Sequence, residues 1–303
     1  MGLPYDAGIA NYLSPTLHSR IKSGGTWRWV DQLSVKSGGS WRTVKQAYVK
    51  SGGSWRKFHD AENVFTFYVT LSGTRTSTFN LGTWLTTSGY NSPSLGRTYN
   101  NGDRIRGVIH VTGTAGGNPG VYIGNFGTNS RVYIKIDSNR RIAGYGGNIG
   151  SGGQSAGTAL YTRTPVFIEN NGNMWGGGGG GRGGNNGQCV GTYYYNYNCG
   201  KNCYAQGTGY NYNPASGGGG GGGAGVPVGA GRQGGSNGSY NSGGNGGSGN
   251  GCGSNSGGKG GNPGQNGSGG NSGSNGNSGY YIDGASYVYS WVATGDRRGR
   301  SGN

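Results

Sequence analysis

The sequence predicts an all-β N-terminal half, a hairpin-repeat meander plus an antiparallel β sandwich or solenoid, followed by a polyglycine-II helix stack with irregular loops and essentially no α-helix. Three observations carry this. Three 14-residue repeats fill 21–62, β-branched and aromatic segments divided by turn signals fill 63–171, and every third residue from Gly258 to Gly279 is glycine. A period of three suits neither the roughly 3.6 of an α-helix nor the roughly 2 of a strand, but it is the period of an extended polyproline-II-type helix. Collagen shares that period and needs abundant proline, whereas this run holds only Pro263.

The repeats read IKSGGTWRWVDQLS, VKSGGSWRTVKQAY and VKSGGSWRKFHDAE. Each sets Gly-Gly between short β-prone segments, the signature of a two-residue hairpin turn of the primed type. Asp31-Gln32 and Lys45-Gln46 are expected to turn the chain between hairpins. Trp27, Trp41 and Trp55 recur at equivalent places, each followed by an arginine: Arg28, Arg42 and Arg56. These pairs either build a small core or dock on a partner, for which Trp and Arg are typical anchors.

Residues 63–171 carry the aliphatic material, in Val64–Leu71, Arg104–Val111, Arg131–Ile136 and Thr164–Ile168, with turns at Ser72-Gly73, Asn101-Gly102, Gly116-Gly117 and Ser138-Asn139. No helix is predicted here. His110 lies in an apolar strand with no carboxylate nearby in sequence and reads as a tolerated residue.

From 172 to 279 the chain holds 45 of its 76 glycines, so a conventional core is confined to the first half. Glycine lacks a Cβ, and its exposed N–H and C=O groups allow backbones to pack closely and hydrogen-bond to one another. The all-glycine runs Gly176–Gly181 and Gly217–Gly223 are expected at the centre of the stack. Gly258–Gly279 is expected as an outer rod with polar faces, and 280–303 as a C-terminal strand. Against a flexible linker stand the unbroken period and the cysteines.

Those cysteines, Cys189, Cys199, Cys203 and Cys252, all fall in the glycine-rich region. Their spacing resembles no zinc site, so no metal and no cofactor is expected, and disulfides are. Three pairings are possible; the one taken is Cys189–Cys199 with Cys203–Cys252. Between the glycine runs lies the most aromatic stretch, with Tyr193, Tyr194, Tyr195, Tyr197, Tyr204, Tyr210 and Tyr212 among asparagines. Tyr and Asn supply rigid contacts and adaptable hydrogen bonds, so this loop is the candidate recognition site, its alternative role being a cover for the stack.

The net charge of +16 is spread over the chain. It suits an anionic partner without selecting one. The glycine-rich region is too poor in arginine for nucleic-acid binding. Nine scattered carboxylates offer no pair for glycoside hydrolysis, and no nucleophile–base set or phosphate loop occurs, so no enzyme is expected. Met1–Arg20 lacks the apolar core of a signal peptide, and no segment is apolar enough to insert in a membrane.

The segment Val166-Phe-Ile-Glu-Asn-Asn-Gly-Asn-Met-Trp175, opening directly into polyglycine, resembles the distal receptor-binding adhesins of T-even-like phage long tail fibres. The closing stretch Tyr281–Gly299 and the Trp-Arg repeats are similar to segments of phage tail proteins. The resemblance implies a virion protein at the tail-fibre tip, extracellular after host lysis, whose stack displays loops to a bacterial surface protein or glycan. It implies four parts: attachment region 1–62, β-rich domain 63–171, glycine-rich domain 172–279 and C-terminal strand 280–303. The three Trp-Arg units then suggest three equivalent contacts on a trimeric fibre protein. The alternatives are a structural tail or fibre protein without receptor contact and, more remotely, a glycine-bundle ice-binding protein.

Overall fold

The protein is described here from a computed structural model, which describes residues 20–23, 26–29, 34–44, 46–60, 64–92, 96–127, 130–149, 152–200, 203–252 and 254–303. The repeats form three antiparallel hairpins: β1 (Arg20–Ser23) with β2 (Thr26–Trp29), β3 (Ser34–Ser37) with β4 (Ser40–Thr43), and β5 (Gln46–Ser51) with β6 (Ser54–Asp60). Gly38 and Gly39 sit at φ 60° and 82°, as do Gly52 and Gly53 at 59° and 82°, which gives the primed turn that two consecutive positive φ values define. Asp31-Gln32 and Lys45 lie outside the described residues.

Each hairpin is its own two-stranded sheet, and among the described residues no strand of one pairs with a strand of another. Among the described residues the expected continuous meander is therefore not formed. Nor do Trp41 and Trp55 build a small core, being 72% and 69% exposed. One to three aromatic residues per hairpin are too few to give an isolated two-stranded sheet a core of its own.

Beyond the hairpins the chain winds through five coils. The first is β7 (Val64–Leu71), β8 (Thr74–Arg75) and β9 (Phe79–Asn80); the second is β10 (Arg104–Val111), β11 (Thr114–Gly117) and β12 (Val121–Ile123). The third is β13 (Arg131–Ile136), β14 (Arg141–Gly144) and β15 (Leu160–Thr162). The fourth begins with β16 (Val166–Asn170) and β17 (Asn173–Trp175), leaves for the glycine-rich region with its strands β18 (Gly187–Gly200) and β19 (Cys203–Ala215), and closes with β20 (Tyr280–Asp283). The fifth is β21 (Val288–Ala293), β22 (Asp296–Arg298) and β23 (Arg300–Gly302).

Corresponding strands of successive coils pair in parallel, making three five-stranded sheets: β21-β16-β13-β10-β7, β22-β17-β14-β11-β8 and β23-β20-β15-β12-β9. The result is a three-sided β-solenoid, and the antiparallel sandwich is excluded. Register stacks like on like: Ile109 pairs with Ile134, and Ile134 with Ile168, all fully buried. With Phe65, Phe67, Ile105, Val132, Ile142, Leu160 and Ile282 they form one core. A coil cannot bury its inner face alone, so each is stabilised by its neighbours.

The corners explain the Asn-Asn-Gly motif. Asn170 is fully buried, its Nδ2 donates to the Thr294 carbonyl at 3.1 Å, and its Oδ1 accepts from Gly172 N at 3.2 Å. It thus ties the fourth coil's corner to the fifth. A short helix, α1 (Leu81–Thr87), follows β9. Asn80 caps it by accepting from Thr83 N at 3.1 Å, and Leu81 and Leu85, one turn apart, are buried.

In the glycine-rich region, backbone hydrogen bonds recur every third residue. Gly178, Gly181 and Gly184 donate to Ala224, Gly221 and Gly218 at 2.7–2.8 Å. Gly218, Gly221 and Ala224 donate in turn to Asn255, Gly258 and Gly261, and Asn255, Gly258, Gly261 and Gly264 donate back to Asn185, Arg182, Gly179 and Gly176. Three extended segments, 176–185, 217–225 and 254–264, therefore close a ring of donors. The intervening residues point elsewhere: Gly219, Gly222 and Gly225 donate to Gln233, Ser236 and Ser239. The runs 176–181 and 217–223 are buried throughout, and a Cβ at Gly219 would overlap the Arg232 carbonyl oxygen.

Gly258–Gly279 is not one rod. Gly264 takes φ +74°, Gln265 N donates to the Asn262 carbonyl, and the chain doubles back so that Ser268 N donates to Lys259 O. It reverses again, with Gly269 and Gly270 at φ +68° and +70°, and Gly267 N then donates to Gly276 O. The run makes three short antiparallel passes, because glycine permits reversals that a periodic pattern does not mark.

Candidate functional site

The seven candidate tyrosines do not lie on an irregular loop. The closely spaced Tyr and Thr residues favour extended chain, and β18 and β19 pair antiparallel from Gly187↔Ala215 to Gly200↔Cys203 as one long hairpin arm. At its base Asn186 Oδ1 accepts from Gly217 N at 2.9 Å, and Gln188 N donates to the Cys252 carbonyl at 3.1 Å.

Cys189 is bonded to Cys252, so neither expected pair, Cys189–Cys199 or Cys203–Cys252, is formed. Cys189 and Cys199 stand ten residues apart on the same extended strand, about 33 Å, far beyond the span of a disulfide. The bond instead pins the base of the arm to the glycine-rich segment that follows Asn250. Cys199 is itself disulfide-bonded.

Pairing sorts the tyrosines onto two faces. Tyr193, Tyr195 and Tyr197 share one, opposite Gly209, Gly207 and Ala205. The other holds Tyr194 opposite Thr208, Tyr204 opposite Asn198, Tyr210 opposite Thr192 and Tyr212 opposite Val190. All seven are exposed, from 46% for Tyr193 to 80% for Tyr204. On the first face the rings form a row, with centroids 6.0 Å apart for Tyr193–Tyr195 and 6.1 Å for Tyr195–Tyr197.

The sequence reading missed Gly207 and Gly209 as partners in this arrangement. The Tyr195 ring lies across Gly207, where a Cβ would stand 2.6 Å from its Cζ, and the Tyr193 ring fills the equivalent space over Gly209. The available signal was the matched alternation of Tyr193-x-Tyr195 with Gly207-x-Gly209. Aromatic rings that cover cross-strand glycines shield the bare backbone and hold the arm's register.

The Trp-Arg positions are placed equivalently in their hairpins. Trp27, Trp41 and Trp55 stand opposite Lys22, Lys36 and Lys50, while Arg28, Arg42 and Arg56 stand opposite Ile21, Val35 and Val49. Trp41, Arg42 and Trp55 are exposed.

The solenoid also brings a carboxylate to His110. Asp137 Oδ1 lies 2.8 Å from Nε2, and the Tyr68 hydroxyl lies 2.7 Å from Nδ1. Burial, with a smaller contribution from the Asp137 charge, raises the Tyr68 pKa above its ordinary value. Both partners come from neighbouring coils, which spacing along the chain did not reveal. Among the described residues no cluster of three or more His, Cys, Asp or Glu stands ready to hold a metal, and no helix is long and apolar enough to cross a membrane.

Trp175, the last residue before the glycine run, lies between the Arg141 and Arg298 guanidinium groups at 4.8 and 4.6 Å. These cation–π contacts fix the point where the chain leaves the solenoid. A family model described as phage tail fibre adhesin Gp38 matches residues 65–302, which take in the solenoid and the whole glycine-rich region. No curated protein and no solved structure matches.

Proposed function

Because the chain belongs to the phage tail fibre adhesin Gp38 family, we propose that it recognises a bacterial surface receptor through the tyrosine arm. The family supports a place in the virion tail and a binding rather than a catalytic role. In this reading the glycine segments are packed polyglycine-II helices that hold the arm rigid, and the solenoid joins that scaffold to the N-terminal hairpins. The division follows as an attachment region at 1–62, a β-rich domain at 63–171, a glycine-rich display domain at 172–279 and a closing segment at 280–303.

One observation carries the reading: seven tyrosines stand in water on a two-stranded arm that is covalently pinned at its base. A surrogate core would bury those rings. Contiguous exposed aromatic surface on a rigid support marks an interaction site, and a pre-ordered arm loses little entropy on binding. The hairpins, with Trp41, Arg42 and Trp55 exposed, supply three repeated units for three equivalent contacts on a trimeric fibre protein.

Competition tests the receptor role. Purified full-length protein is expected to block adsorption of the phage that carries it. Replacement of Tyr193, Tyr194, Tyr195 and Tyr197 by alanine is expected to abolish the block while circular dichroism stays unchanged. Undiminished blocking by a folded quadruple variant removes the arm from receptor contact.

A further inference from the structure

We propose that the Tyr193–Tyr195–Tyr197 face is a stacking platform for an uncharged polysaccharide chain of the bacterial surface. The proposal rests on the receptor-binding reading above and specifies its ligand. The Tyr193 and Tyr195 rings lie across the partner strand because Gly209 and Gly207 present no side chain, and Tyr197 continues the row opposite Ala205. Each keeps close to half its surface in water, at 46%, 47% and 48%, so the arm side of each ring is covered while its outer side is open.

Aromatic faces carry negative π density and attract weakly positive C–H edges. A pyranose ring presents such C–H groups on one face and hydroxyls around its rim. Asn211 and Asn213 share this face of the arm by alternation, being opposite Gly191 and Cys189, and their amides both donate and accept hydrogen bonds. Three rings in a row at even spacing, 6.0 and 6.1 Å between centroids, match a ligand that repeats.

Two further facts favour a neutral glycan over a protein. Neither β18 nor β19 contains an Asp, Glu, Lys, Arg or His, so the platform has no ionic means of holding a charged partner. The platform is also narrow: two strands lie about 4.8 Å apart and the row spans four residue steps, about 13 Å. A standard protein interface covers about 800 Å² on each partner, whereas a single polymer chain fits a strip.

The test uses full-length protein carrying a fluorophore, applied to bacteria that the parent phage infects. Periodate, which cleaves sugar diols, is expected to abolish labelling, and proteinase K treatment of the cells is expected to leave it. On an array of purified bacterial polysaccharides, neutral chains are expected to retain the protein. Gly207→Ala combined with Gly209→Ala forces both rings off the strand without removing an aromatic atom, and is expected to weaken retention about ten-fold, some 1.4 kcal/mol. Replacement of Tyr193, Tyr195 and Tyr197 together by alanine removes the rings and is expected to abolish retention, whereas Asn245→Ala, at an exposed position outside the arm, is expected to leave it unchanged. Labelling lost to protease and not to periodate, retention by acidic chains alone, or unchanged retention of the glycine double variant overturns the platform and leaves the receptor-binding reading standing. Failure to label any infected strain overturns both.

Discussion

Cys189 and Cys252 are joined across 63 residues of sequence, and the bond lies where the tyrosine arm meets the glycine segments. Closing a loop of that length removes chain entropy from the unfolded state worth about 4 kcal/mol in the chain-entropy account. Cys252→Ser is therefore expected to lower the unfolding free energy by up to about that amount. It is also expected to speed amide exchange in β18 and β19 before the solenoid opens. Hydrogen-exchange mass spectrometry checks it, and equal protection of the arm in both proteins contradicts the assigned role.

The glycine segments are predicted to tolerate no added methyl at their centre. Gly219 N donates to Gln233 O at 3.0 Å, its own carbonyl accepts from Gly247 N at 2.7 Å, and an added Cβ would overlap Arg232 O. The two nearest atoms, Arg232 O and C, are backbone, which cannot move aside as a side chain does. Gly219→Ala is expected to cost about 3 kcal/mol or more, whereas Asn245→Ala, at an exposed position, should stay within about 0.5 kcal/mol. Urea titrations of the two variants separate them; similar midpoints would mean the segments are loosely packed.

A third prediction concerns acid. Arg97 donates to Asp103 through Nη1 at 2.7 Å and Nη2 at 2.9 Å, and Asn100 N donates to the same carboxylate at 2.9 Å. The hydrogen bonds from Arg97 are the main cause holding this carboxyl below its ordinary 3.8; burial opposes them, and Asn100 N and the Arg97 charge add to them. A carboxyl with a depressed folded pKa stabilises the protein above its unfolded value, and loses that contribution as pH falls through the folded one. Asp103→Asn is thus expected to lower the melting temperature at pH 7, with the gap from the parent protein closing below about pH 4. A gap that persists at pH 2 assigns the loss to packing.

What the sequence disclosed follows the range of each interaction. The Gly38-Gly39 turn was legible because two adjacent residues determine it. The buried runs 176–181 and 217–223 were legible because only glycine permits such contact. Parallel register was not: Ile134 meets Ile109 on one side and Ile168 on the other, partners that any apolar strand could have supplied. The pairing of Cys189, the neighbours of His110 and the reversal at Gly264 are likewise long-range or single-residue events, to which composition and period are blind. The platform fell between these cases. Its tyrosines were evident, but the glycines beneath them acquired meaning only when β18 and β19 were aligned.

The hairpins yield the sharpest separation of stability from function. Trp41 and Trp55 are mostly in water, so removing them takes little apolar surface out of the folded core. Trp41→Ala and Trp55→Ala are each expected to change stability by no more than about 0.5 kcal/mol. If the three repeats hold three equivalent sites on the fibre, each loss should weaken capture by the fibre protein in a graded way, and both together should weaken it further. Scanning calorimetry supplies the first readout and co-sedimentation with the purified fibre the second. Full capture by the double variant would move attachment away from the tryptophans. A complete loss from one substitution alone would instead mean that a single repeat makes the contact, and the threefold correspondence would fail even though the hairpins remained the attachment site.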